Sequence, residues 1–84
     1  MPQVTRRIHI QFFAILREQA GCALLEVDTA ATSPRELYHE LQDSHRLTLP
    51  ATIVQVAINA RYATMDTPLQ DGDRVVFIPP VAGG

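Results

Sequence analysis

The sequence predicts an α+β fold, a mixed sheet packed on one main helix. Two segments alternate apolar and polar residues with period two, and a third, Arg74–Ile78, is apolar on both faces. One helix start is signposted unambiguously, at Ser33-Pro34. The chain has 84 residues, 46% of them hydrophobic, which fills one small core and leaves no room for a second.

From Ile8 to Phe13 the residues Ile8, Ile10 and Phe12 point one way and His9, Gln11 and Phe13 the other. This is a half-buried strand with Phe13 as the exception on its polar side. Ala14 to Ala20 carries Ile15 and Leu16 beside Arg17, Glu18 and Gln19, a short helical piece stopped by Gly21. Ala23 to Val27 reads as a second strand, returning onto the first through a connection longer than a tight hairpin turn.

In Thr32-Ser33-Pro34-Arg35-Glu36, Ser33 can cap, Pro34 suits the first helical position, and Glu36 completes a capping box. Leu37 and Leu41 follow four apart with Tyr38 alongside, so the main helix runs to about Asp43–His45. Leu47, Leu49 and Pro50 bridge to a third strand, where Val54, Val56 and Ile58 alternate with Gln55, Ala57 and Asn59. Asn59-Ala60-Arg61 is a turn, and a brief extended piece follows around Tyr62 to Thr64. Asp71-Gly72-Asp73 turns into the last strand, which is either central in the sheet or covered. Pro79-Pro80 stops it, since neither residue can donate a ladder hydrogen bond. The order is that of a β-grasp (ubiquitin-like) fold, with a domain over 1–80 and a flexible tail, Val81-Ala82-Gly83-Gly84, over 81–84.

Net charge of −2 offers no broad attraction to nucleic acid, and no Lys/Arg run marks a membrane surface. No stretch approaches the roughly 20 apolar residues of a membrane span, and the N-terminal residues do not read as a secretory signal. The expected compartment is the cytoplasm. All seven basic residues are arginine, which leaves the N-terminus as the ordinary amine. The single cysteine, Cys22, cannot pair internally and has no evident activating base, so inert packing is its expected role.

A conventional active site is not visible. His9, His39 and His45 are scattered, and the last two are spaced too far apart to chelate from one helix face, so no metal site is expected. Asp71-Gly72-Asp73 has the form of a turn. The end of the chain stands out instead. With glycine at about 7% of residues, a terminal Gly-Gly arises by chance in roughly one chain in 200, a weak signal alone. Here it follows a strand stopped by a proline pair. Lacking Cβ, such a tail can thread a narrow channel and present its carboxylate to another enzyme.

Phe-Phe-Ala-Ile-Leu-Arg-Glu-Gln-Ala-Gly at 12–21, Ala-Ile-Asn-Ala at 57–60 and Leu-Gln-Asp-Gly-Asp-Arg-Val-Val-Phe-Ile-Pro-Pro-Val-Ala-Gly-Gly at 69–84 span most of the chain. Together they resemble the MoaD/ThiS ubiquitin-like sulfur carriers, and Pro79-Pro80-Val81 before the diglycine favours the MoaD branch, which serves molybdopterin synthase. Two departures stand out: Phe77-Ile78 where members often have two aromatics, and Arg74 where acidic residues are common.

The resemblance implies a β-grasp fold and a sulfur carrier with no catalytic side chains of its own. Gly84 is the expected reacting group, adenylated and then converted to a thiocarboxylate, with Gly83 giving clearance. No cofactor is expected to stay bound, and ATP is used by the activating enzyme, a ubiquitin-activating-enzyme-like adenylyltransferase. The second implied partner is the molybdopterin synthase large subunit, in a heterotetramer. There the sulfur passes to a cyclic pyranopterin precursor in molybdenum cofactor biosynthesis.

Strand parity adds an expected interface. If Val75 and Phe77 point inward, Val76 and Ile78 join Phe13 in an exposed apolar patch beside the tail, with Pro79, Pro80 and Val81 leading out of it and Arg17 at its rim. A covering loop, or a parity shifted by one, would remove that patch. Three other functions compete: a carrier for thiamin thiazole synthesis or another thiolation pathway, a ubiquitin-like binding module with an incidental diglycine, and a protein-modifying tag joined to lysines.

Overall fold

A computed structural model describes residues 4–80. The elements run β1 (Arg6–Phe12), α1 (Ala14–Ala20), β2 (Leu24–Thr29), α2 (Pro34–His45), a 3-10 turn (Ala51–Ile53), β3 (Gln55–Ile58), β4 (Arg61–Ala63) and β5 (Arg74–Ile78). The five strands form one sheet in the order β2-β1-β5-β3-β4. β5 pairs parallel to β1, while every other neighbouring pair is antiparallel. This mixed sheet with α2 across one face is the β-grasp arrangement expected from the sequence. The proposed tail, 81–84, lies outside the described residues.

Parity decides which face α2 covers. Ile8, Ile10 and Phe12 of β1, Val56 of β3, and Val75 and Phe77 of β5 are all buried, and Leu37, Tyr38 and Leu41 of α2 pack above them. The Tyr38 ring tilts against Phe77 at 5.2 Å between centroids, and Phe12 stacks beside Phe77 at 6.4 Å. Tyr38 keeps its hydroxyl satisfied by donating to the Leu49 carbonyl at 2.8 Å, which Gln42 also reaches at 3.0 Å. Burial pushes the Tyr38 phenol up from its ordinary value.

The start of α2 differs in one detail from the capping box. Ser33 does cap, its Oγ accepting the Glu36 N–H at 3.3 Å. The Glu36 carboxylate passes over Ser33, however, and accepts from the N–H and hydroxyl of Thr32 at 2.6 and 2.7 Å. Those two bonds hold the Glu36 carboxyl below its usual range. Proline at the first helical position supplies no N–H, so the flanking residues carry the cap. The Thr29 hydroxyl meets the Glu40 carboxylate at 2.7 Å, fastening the end of β2 to α2. Arg35 pairs with Asp66 at 3.0 Å and straps the 64–73 loop to the helix start.

Several boundaries move. β1 starts at Arg6 and ends at Phe12, because Phe13 leaves the ladder to take the position before α1 and Ala14 swings into the left-handed region at φ 52°. β2 runs on to Thr29, and the bridge after Leu49 includes a short 3-10 turn. At the β3–β4 corner, Asn59 and Ala60 both have positive φ, 52° and 69°, giving the mirror-image turn that suits hairpin twist.

Candidate functional site

The sheet face opposite α2 is open. Register lines its side chains up in rows running across the strands. One row reads Leu24, Gln11, Val76, Ala57, Tyr62 from one edge to the other. At about 4.8 Å per strand it is roughly 19 Å long. A second row holds Ile78 beside Gln55, and Phe13 comes directly after Phe12, the last β1 residue paired with β5. A third row, Glu26, His9, Arg74, crosses the charged part of the face.

Val75 and Phe77 are buried, which puts Val76 and Ile78 on the open face. They are half-buried there, less exposed than the patch drawn from the sequence, because β5 is central and β1 and β3 flank it. Phe13 is 45% exposed. The prominent apolar groups on this face are two that strand patterns did not single out, Leu24 at 66% and Tyr62 at 77%. Leu24 shares parity with Glu26 and Asp28, which the alternation of β2 could have revealed. Tyr62 sits in a three-residue strand, too short to show a period.

Arg17 is exposed on α1, one turn beyond Phe13, and its carbonyl accepts the Gly21 N–H at 3.0 Å. Pro79 is buried and Pro80 exposed, so the chain surfaces between them at the end of β5. Val81, Gly83 and Gly84 fall outside the described residues.

The remaining candidates hold structural positions. His45 tilts over Phe12 with its ring 6.5 Å away, His9 lies 3.9 Å from Glu26, and His39 is exposed on α2. Cys22 is half-buried against the core. Asp73 is buried at the base of β5, accepting from the Asn59 amide at 2.9 Å and the Gln70 N–H at 2.8 Å, while Asp71 accepts the Arg7 N–H at 2.7 Å. Both carboxylates therefore serve the turn. Among the described residues, no three His, Cys, Asp or Glu gather where they could hold a metal.

Charge on the open face is unevenly spread. Arg7 pairs with Asp28 at 2.7 Å and with Glu26 at 3.4 Å. Its guanidinium holds the Asp28 carboxyl below the usual range and is itself raised, chiefly through the Asp28 bond. Arg74 makes no ion pair among the described residues. Beside it, His9, Gln11, Leu24 and Glu26 line a shallow cleft of about 330 Å³. No helix of the described residues is long and apolar enough to cross a membrane.

Residues 10–84 match the ThiS family. The molybdopterin synthase sulfur carrier subunit of Escherichia coli K12 is 35% identical over 80 residues, covering 92% of this chain and 99% of that protein. The protein of the same name from Mycobacterium tuberculosis H37Rv is 35% identical over 82 residues, covering 93% and 98%. Among solved structures, the complex of subunits 1 and 2 of molybdopterin-converting factor from Helicobacter pylori contains a similar chain. It is 26% identical with a TM-score of 0.64, covering 93% of this chain and 99% of that one. With the family match running from residue 10 through residue 84, the chain belongs to the ThiS family.

Proposed function

We propose that this chain is the sulfur carrier subunit of a molybdopterin synthase, and that the carboxylate of Gly84 is its working group. The observation that carries this reading is the near full-length match to two sulfur carrier subunits of that enzyme, within a family match that includes Gly83 and Gly84. The fold is consistent with the role.

The sequence of events follows from carboxylate chemistry. A carboxylate is a poor electrophile at neutral pH. An adenylyltransferase joins Gly84 to AMP, releasing pyrophosphate, and sulfide-level sulfur then displaces AMP to leave a thiocarboxylate. In the large subunit the thiocarboxylate sulfur bonds to a pyranopterin precursor, and water then cleaves the acyl–sulfur bond, leaving sulfur on the pterin and Gly84 as carboxylate. Gly83 lets the tail lie in a channel too narrow for a side chain. ATP belongs to the activating enzyme, the carrier keeps no bound cofactor, and the cycle runs in the cytoplasm. The open sheet face, with Phe13, Val76, Ile78 and Tyr62, lies beside the exit at Pro79-Pro80 and supplies the apolar contact.

Reconstitution tests the assignment. The thiocarboxylated chain, mixed with a molybdopterin synthase large subunit and the pyranopterin precursor, is expected to yield the dithiolene product, and with a thiazole synthase to yield no thiazole. The reverse pattern would move the protein to the thiamin pathway.

A further inference from the structure

Arg74 has a position that the tail chemistry does not use. It opens β5, the strand that ends at Pro79-Pro80, and it shares the outward stripe Arg74, Val76, Ile78. Two carboxylates engage Arg7, the other arginine of this face, leaving Arg74 as the cation of the stripe with no carboxylate within ion-pair distance among the described residues. Leu24 and Gln11 form apolar and amide walls of the adjoining cleft, and His9 stands between Arg74 and Glu26 in the cross-strand row. A carboxylate entering there meets Arg74 on the β5 side, while Glu26 repels it from the β2 side.

We propose that Arg74 docks a carboxylate of the large synthase subunit. The proposal rests on the sulfur-carrier reading above. Geometry puts the contact within reach. A partner that takes the tail covers the end of β5, and Arg74 is four residues upstream of Ile78, roughly 13 Å along the strand. A standard interface buries about 800 Å² on each side, equivalent to a disc of roughly 16 Å radius, which brings Arg74 under its rim. Rim charges act on association rate, salt dependence and partner choice more than on raw affinity.

The test measures binding of the full chain to the large subunit by titration calorimetry, at low and at high salt. Arg74→Gln is expected to weaken binding about 3-fold and Arg74→Glu about 10-fold near 50 mM salt, because an exposed ion pair is modest and a like-charge contact repels. Both deficits should vanish near 1 M salt, where screening acts within about 3 Å. Arg46→Glu, which makes the same change in net charge beyond the end of α2, should leave affinity unchanged. Equal affinity for wild type and Arg74→Glu at low salt would overturn the proposal while leaving the carrier reading intact. A loss that persists at high salt, or that Arg46→Glu reproduces, would overturn it too. If the wild-type chain does not bind the large subunit, the carrier reading falls and the proposal with it.

Discussion

Replacing Asp73 by alanine removes the acceptor that joins three segments at the base of β5. Its Oδ1 accepts from the Asn59 amide at 2.9 Å and its Oδ2 from the Gln70 N–H at 2.8 Å, while the Asn59 Oδ1 accepts the Arg74 N–H at 3.0 Å. The chain from Gln70 to Arg74 is thereby locked to the β3–β4 corner. Asp73 is only 9% exposed, so water replaces these bonds poorly. Hydrogen bonds to a charged group contribute about 1.5–3 kcal/mol each; because the donors sit at a surface turn, we take the lower end and expect a loss of about 3 kcal/mol. In urea, with a slope near 1 kcal/mol per molar for a chain of this size, the unfolding midpoint should fall by about 3 M at unchanged slope. Asn59→Ala alone should cost about 2 kcal/mol, from its two bonds and the loss of a residue that tolerates positive φ. The double mutant should then be more stable than the sum of single effects implies, by about 1 kcal/mol, since both remove the same contact. A loss under about 0.5 kcal/mol for Asp73→Ala, or strict additivity, would show that this turn does not act as one hydrogen-bonded network.

Three further outcomes follow from the same geometry. Ala60→Gly should stabilise the protein by about 1 kcal/mol, because φ 69° strains an alanine and suits a glycine, and a thermal melt should rise by about 4–8 °C. Glu36, Asp28 and Asp66 all have carboxyls held below their ordinary values, Glu36 by Thr32, Asp28 by Arg7 and Asp66 by Arg35. Depressed folded values stabilise the fold above the ordinary values of 4.5 for Glu36 and 3.8 for the aspartates, and that stabilisation is lost as pH falls through the lower folded ones. Urea midpoints should therefore drop as pH is lowered through that window, and Glu36→Gln should flatten the decline; an unchanged slope would remove Glu36 from the explanation. Tyr62→Asp should change stability by less than about 0.5 kcal/mol, since its side chain is 77% exposed, yet weaken binding to the large subunit by about 10-fold or more.

Much of this architecture is readable from local pattern. Ser33-Pro34 marks the start of α2, Gly21 the end of α1 with φ 78°, and the alternation of Ile8, Ile10 and Phe12 gives the buried face of β1. The apolar character of Arg74–Ile78 has its cause in strand order: β5 is central, and its outward residues are half-covered by β1 and β3. Period-two patterning leaves that choice open because neighbours in the sheet come from distant parts of the chain. The same nonlocal register puts Leu24 and Tyr62 on one row with Val76, which no single segment announces. The turn of Phe13 out of the strand depends on Ala14 adopting a left-handed conformation, one that alanine composition argues against. Of the site, Phe13 and the β5 stripe were legible from parity, whereas Gly83 and Gly84 lie outside the described residues.

A sulfur carrier of this kind holds its sulfur as a thiocarboxylate on Gly84. Intact mass spectrometry of the chain, after incubation with ATP, a sulfur source and its adenylating enzyme, tests it most directly. A mass gain equal to replacing one oxygen by sulfur is expected, lost when Gly84 is deleted. An unchanged mass, with an adenylating enzyme shown to be active on another carrier, would contradict it.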